Sequence, residues 1–402
     1  MRARISSLIA ALSLTIAGTA SAAEIDVMIQ NQYLGTDLTP VLTATTPADA
    51  NAEIVKALET VAASLPEARL ARLAQLITHR SPHAVALNEA FVYECNNVLA
   101  ATPAGEGCDN PRIKGAFIDF LATTEANLSG RYVLKTHVQN FAVEDLTFLI
   151  DGVPARLTAR DRDAIFVRSD VAASATAVAL GSSGLCRPSL DGEGCNYFAE
   201  PFTITTLLGD LAIERGFVAV DLEVDEQPYR IFATHLEVRE LIPGATESRA
   251  LQRGQAAQLV NTAALLAPLE PAGTKRLIVG DINSGPEDAL DLIEVAPGVR
   301  LPAPYWFFIS PTAGYVDTWT LRPGVGKGKG APLVGFSCCQ DADLGNHQSA
   351  LYERIDMIFS HGRPAKVMEA RLLGESVGDK TLPKGLGVWP SDHASVAARI
   401  QY

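Results

Sequence analysis

The sequence predicts an α/β protein with mixed β-sheets, built as one domain. Three observations lead there. Helical and strand patterns interleave along the chain, strand pairs lie close together in sequence, and no convincing linker, internal repeat or low-complexity run divides the chain after about residue 24.

The elements follow in order. "EIDVMIQNQYLG" reads as a first strand with a turn at Gly35. "NAEIVKALETVAASLPEARLARLAQLITHR" carries apolar residues at helical spacing and is broken at Pro66, so it predicts two helices. Within "PHAVALNEAF", Ala84 to Leu87 form a buried strand that ends at Glu89. "DAIFVRSD" and "TAVALG" read as a hairpin, and "GFVAVDLEV" with "PYRIFATHLEV" as a second strand pair. "SRALQRGQAAQLVNTAALLA" predicts an amphipathic helix and "KRLIVGDIN" another strand. "YERIDMIFS" and "HASVAARIQY" close the chain as strands. "RPGVGKGKGAP", residues 322–332, is a loop.

The N-terminus has the pattern of a signal peptide over residues 1–23. Arg2 and Arg4 supply the positive region, "ISSLIAALSLTIAG" the apolar region, and Ala20 to Ala22 the small residues of a cleavage site. This predicts export, to the periplasm or the medium, and a domain spanning residues 24–402. Six cysteines suit an oxidising compartment. Cys95 with Cys108, and Cys186 with Cys195, each bracket a short Gly-rich stretch and suit local clips. Cys338 and Cys339 are adjacent and are open to pairing with each other, pairing elsewhere or staying free. No CxxC spacing supports a zinc site.

The net charge is −13; without Arg2 and Arg4, 31 basic residues face 46 acidic ones, a charge of −15. A non-specific nucleic-acid scaffold would want a basic surface. An enzyme acting on phosphate esters is still compatible, because a bound divalent cation reverses the local sign.

Polar residues stand where strands end. Asn31 follows "VMIQ", Glu89 follows "AVALN", His235 follows "RIFAT", and Asp281 and Asn283 follow "LIVG". Asp356 lies inside "RIDMIF", and Asp392 and His393 precede "ASVAARI". Each alone reads as a cap or turn residue. Together they would be costly to bury unless they meet and pair. Such a set suits hydrolysis of a phosphate ester. Glu89 and Asp392 offer hard oxygen ligands for a divalent metal. Alternation would turn Asp281 and Asn283 to one face, a carboxylate to orient water and an amide to donate to a phosphate oxygen. A histidine beside a carboxylate serves as acid or base near neutral pH.

Six of these segments, in this order, resemble motifs of the endonuclease/exonuclease/phosphatase superfamily, with its deoxyribonuclease I-like fold: "QNQYLG", "ALNEAF", "ATHLEV", "GDINSGP", "RIDMIF" and "SDHASV". They span nearly the whole chain after the signal. The resemblance implies a four-layer sandwich, two packed mixed β-sheets flanked by helices. It implies Mg2+, or another divalent cation such as Mn2+ or Ca2+, at Glu89 with Asn31 and Asp392 nearby. It also implies catalytic parts for His235, Asp281, Asn283, Asp356 and His393, and a phosphate contact from Arg162 in "RDRDAIF". Asn88 stands where the family has Gln, a change expected to matter little. Tyr33 replaces a second Asn or Asp, and Ala394 is a mild departure.

The family's substrates include nucleic acids, phospholipids and small phosphodiesters. No obligate protein partner is evident in the sequence. "PAPYWFFIS", residues 302–310, reads either as an aromatic loop entering a membrane interface, as a phospholipase-like or sphingomyelinase-like enzyme would want, or as a buried strand. A catalytically inactive binding protein of the same fold is the rival reading. It gives no physical reason to keep Glu89, His235, Asp281, Asn283, Asp392 and His393 together.

Overall fold

The computed structural model describes residues 23–199, 202–206, 209–240, 247–290, 292–296, 298–325, 334–382 and 385–402. All but the last residue of the signal peptide expected over residues 1–23, and most of the 322–332 loop, lie outside the described residues.

In chain order the main strands are β1 Glu24–Asn31, β2 Ala84–Asn88, β3 Val92–Asn97, β4 Tyr132–Ile150, β5 Val153–Arg168, β6 Gly216–Val224, β7 Gln227–His235, β8 Lys275–Asp281, β9 Tyr315–Asp317, β10 Asp356–His361, β11 Lys366–Leu373 and β12 Ser395–Gln401. The helices that matter here are α1 Pro47–Ala63, α2 Pro66–Arg80, α3 Phe120–Leu128, α4 Glu247–Leu266 and α5 Pro304–Phe308.

They form two large mixed sheets. One runs β11–β12–β1–β2–β5, with β3 beside β2 along one edge of β5 and β4 along the other. The second runs β9–β10–β8–β7–β6. Each contains one parallel pair, β1 with β2 and β7 with β8. Parallel neighbours need a crossover, and α1 with α2 supply the first and α4 the second. Every other pairing among these strands is antiparallel.

The sheets pack face to face. Ile25, Val27, Ile29, Ala84 and Ile165 of the first meet Val220, Ile231, Ala233, Val279 and Ile358 of the second. Outside the first sheet, Ala74 and Ile77 of α2 and Leu121 of α3 cover Met28, Val85 and Phe166. Outside the second, Ala256, Leu259 and Ala263 of α4 cover Phe217, Phe232 and Ile278. The layers are therefore helix, sheet, sheet, helix, as expected. Strands buried on both faces explain why "AVAL" and "LIV" read as continuous apolar runs.

Two expectations need correction. "DAIFVRSD" does not pair with "TAVALG". It is the end of β5, whose hairpin partner is the preceding β4, joined through Asp151 and Gly152 with φ of 50° and 82°. Asp-Gly is a strong signal for such a turn. Only Thr176–Ala177 of the second segment is a strand, and it pairs with β6 in the other sheet. The aromatic segment is neither exposed loop nor strand. Pro304–Phe308 is a short helix started by its proline, with Tyr305 and Phe308 only 3% and 0% exposed against Phe359.

Three disulfides join Cys95 to Cys108, Cys186 to Cys195 and Cys338 to Cys339.

Candidate active site

The two parallel pairs bring the site together. Asn31 pairs with Asn88 at the end of β1 and β2, and His235 pairs with Asp281 at the end of β7 and β8. Asp356 opens β10 directly opposite Asp281. Glu89, His235, Asp281, Asn283, Asp392 and His393 all line one cavity of about 550 Å3 at this edge of the sandwich.

Asp281 is the hub. Its Oδ2 accepts from Asn31 Nδ2 at 3.1 Å, and its Oδ1 accepts from the Asn283 backbone N–H at 2.9 Å. The same Oδ2 lies 3.7 Å from His235 Nε2 and 3.8 Å from His393 Nε2. His393 Nδ1 is 2.8 Å from Asp356 Oδ2, which fixes the ring and leaves Nε2 toward Asp281 and, at 3.9 Å, Asp392. Ligand-type atoms of Asp281, Asp356 and His393 all lie within 4.8 Å of one another.

Asn283 reaches the site differently from the strand alternation expected of it. β8 ends at Asp281, and Asn283 has a left-handed φ of 48°. The tight turn lets its backbone bond the Asp281 side chain. Its Nδ2 donates to Leu236 O at 2.9 Å and lies 3.0 Å from His235 Nε2. Glu89 also takes a left-handed φ, 53°, directly after β2. Its carboxylate accepts from Asn31 Nδ2 at 3.0 Å and from the Leu34 backbone N–H at 2.8 Å. Left-handed non-glycine residues are uncommon and gather at functional sites.

Asn31 lies just behind the cavity wall. Its amide spans Glu89 and Asp281, and its Oδ1 accepts from the Tyr33 backbone N–H. It is a clasp between two carboxylates. Asn88 does more than the sequence suggested. Wholly buried, it donates to Asp163 at 2.7 Å and to Thr234 O at 3.2 Å, and accepts from the Asp281 backbone N–H at 2.9 Å. It therefore ties the end of β2 to β7 and β8 across the sandwich. Gly280 allows the close approach beside it, since a Cβ there would meet Thr234 O at 1.9 Å.

Arg162 is not in the cavity. Along β5 alternate residues face opposite sides, so Asp161 and Asp163 turn inward and Arg162 turns outward. Its guanidinium pairs with Asp119 and donates to Ala90 O. The cation on the cavity wall is Arg215, which no motif marks. Arg215 donates to Glu237 Oε1 at 3.1 Å and sits 3.2 Å from His235 Nδ1. A guanidinium and an amide N–H2 can only donate, so both ring nitrogens of His235 face donors, Arg215 at Nδ1 and Asn283 at Nε2. Arg69 was also missed, because its helix reads as an ordinary amphipathic one. Fully buried, it donates to the carbonyls of Gln32, Tyr33 and Pro390 and so holds the loops that carry Asn31 and Asp392.

The charges do not balance. Burial first, then Asp356, pushes Asp281 up to about 7; burial first, with Glu89 adding to it, pushes Asp392 up to about 7. Burial raises Asp161 to about 6. Burial opposes a charged His393, but Asp356, Asp392 and Asp281 outweigh it and hold its pKa well above the usual value. Burial, then Arg215, then His393 push His235 well below the usual value, so it is neutral. His393 answers Asp356 and Arg215 answers Glu237. Glu89, Asp281 and Asp392 stand together at the wall of a cavity whose cations are already engaged.

No family model matches the chain, and no curated protein matches it. Solved structures do align nearly end to end. Truncated TDP2 from Caenorhabditis elegans aligns at 14% identity with a TM-score of 0.45, over 94% of this chain and 98% of that one. An endonuclease/exonuclease/phosphatase family protein from Bacteroides thetaiotaomicron aligns at 13% and 0.46, over 95% and 99%. One from Beutenbergia cavernae aligns at 16% and 0.43, over 94% and 72%. Two of the three carry the superfamily name that the motifs suggest. At these identities and scores the alignments add nothing to what the strand order and the cavity establish.

Proposed function

We propose that this chain is an exported, divalent-metal-dependent phosphodiesterase of the endonuclease/exonuclease/phosphatase type. One observation carries the reading: Glu89, His235, Asp281, Asn283, Asp392 and His393, drawn from 305 residues of sequence, line a single cavity that holds more negative charge than its own cations meet. Disulfides throughout the chain support export, as does the N-terminal pattern.

The donor set fits a hard cation. Glu89 and Asp392 would hold it, with Asp281 beside them. The buried Oδ1 atoms of Asp356 and Asp161 have no hydrogen-bond partner, a sign of acidic groups gathered beyond what the protein satisfies. When bound, a divalent cation supplies charge neutralisation and Lewis-acid polarisation of a phosphoryl oxygen. Mg2+ is the first choice, with Mn2+ and Ca2+ as alternatives.

The chain's own residues supply the rest. Asp281, with its pKa near neutrality, orients the attacking water and takes its proton. The backbone of Asn283 and the amide of Asn31 hold that carboxylate in place. Imidazolium His393, positioned by Asp356, donates to a phosphoryl oxygen from Nε2. Neutral His235, positioned by Arg215 and Asn283, stands beside Asp281 to contact the phosphate or the leaving group.

The test is a substrate panel of plasmid DNA, RNA, sphingomyelin and phosphatidylcholine, each with and without EDTA. Hydrolysis of at least one, abolished by EDTA and restored by Mg2+ or Mn2+, supports the reading. Inactivity on all four across several metals favours a binding protein that keeps only the fold.

A further inference from the structure

Beside the catalytic cavity lies a second space of about 70 Å3 whose exposed surface is entirely apolar. Thr36, Leu38, Leu42, Phe91 and Phe141 line both, so the two adjoin. Behind this threshold the chamber is walled by α1 through Leu58, by β4 through Leu146, and by Leu211 of the strand Gly209–Ile213. Leu38, Leu42, Phe141, Leu146 and Leu211 are all only half-buried, so apolar surface is left open toward it.

Resting on the phosphodiesterase reading, we propose that this chamber is a subsite for an aliphatic chain on the phosphate ester. A sugar hydroxyl or a base edge entering it would lose its hydrogen bonds to water and find no partner on the walls. An aliphatic segment loses nothing and buries area. The volume is about half that of an engineered cavity of roughly 150 Å3 that takes up benzene, so it admits the first few carbons of a chain. The acidic balance of the whole chain, −13, points the same way, because a polyanionic nucleic acid would be repelled beyond the metal site. The substrate class is therefore a phosphodiester with an alkyl or acyl chain near the phosphorus.

The experiment uses the full mature chain with Mg2+ and a series of p-nitrophenyl alkyl phosphodiesters, from methyl to octyl, with one leaving group throughout. kcat/KM is expected to climb by up to about fourfold per methylene over the first few carbons and then level off. Leu211→Trp, which fills the chamber from a half-buried position, is expected to bring the butyl-to-methyl ratio close to one. Equal rates along the series in the wild type would overturn the subsite while leaving phosphodiester hydrolysis standing. Faster turnover of an oligonucleotide than of any alkyl ester would overturn it too. No hydrolysis of any member would overturn the phosphodiesterase reading and the subsite with it.

Discussion

Asn88→Ala is expected to be the most damaging single change that leaves every proposed reacting group in place. The side chain is wholly buried and makes three hydrogen bonds. Removing it strips a donor from Asp163, about 0.5–1.5 kcal/mol. It also leaves the Asp281 backbone N–H buried without an acceptor, about 1–3 kcal/mol more. Asn140 still donates to Asp163, at 2.8 Å, which limits the first loss. A total of roughly 3 kcal/mol follows, a large share of the stability of an ordinary domain. Because Asp281 is anchored through that N–H, turnover should fall by at least about tenfold as well. Urea unfolding, with the midpoint compared at unchanged slope, gives the first number, and steady-state hydrolysis the second. A loss under about 1 kcal/mol with turnover within twofold of wild type would refute the bridging role.

Three further expectations concern the charges. His393→Ala should cut kcat by roughly 10²–10⁴, and circular dichroism should be unchanged; a variant with wild-type rates would remove His393 from the reaction. In the metal-free protein Asp281 and Asp392 should each take away stability as pH rises from about 4 to about 7, while buried His235, with its lowered pKa, gives some back below about 6.5. Asp281 and Asp392 have raised pKa values, so the folded state binds more protons than the unfolded one in that window. His393, whose pKa is also raised, stabilises fully below about 6.5 and loses that contribution only as pH passes its folded value. A cation that binds the charged carboxylates relieves the first effect, so the rise in Tm on adding Mg2+ should be larger near pH 8 than near pH 5. A metal-induced shift that is absent or equal at both values would count against a cation at these residues.

Much of the fold was legible because its strands and helices carry their own patterns. "AVALN" and "RLIVGD" are apolar on both faces because both faces are covered, and the break at Pro66 does separate two helices. The polar strand ends were legible as a set because apolar runs seldom end in buried carboxylates and imidazoles without a reason. What was missed depends on direction rather than type. Arg162 and Asp161 are neighbours in sequence, and one residue of register decides which faces the cavity. Arg215 stands before a strand with no motif around it, and its value comes from Glu237 and His235, which only the fold brings near. The β4–β5 hairpin had its signal in Asp151-Gly152, overlooked because β4 is long, irregular and interrupted by bulges. The aromatic helix was hidden because five residues are too few to show a helical period.

The central claim is that the acidic cavity grips a divalent cation to hydrolyse phosphodiesters. Hydrolysis of bis-p-nitrophenyl phosphate by the wild type and by Glu89→Gln, each with Mg2+, with EDTA, and with Mg2+ restored, tests it most directly. The wild type should turn over only with metal, and with Mg2+ present the variant should be slower by at least about a hundredfold. Wild-type turnover that survives EDTA, or a Glu89→Gln enzyme as fast as its parent, would contradict the account.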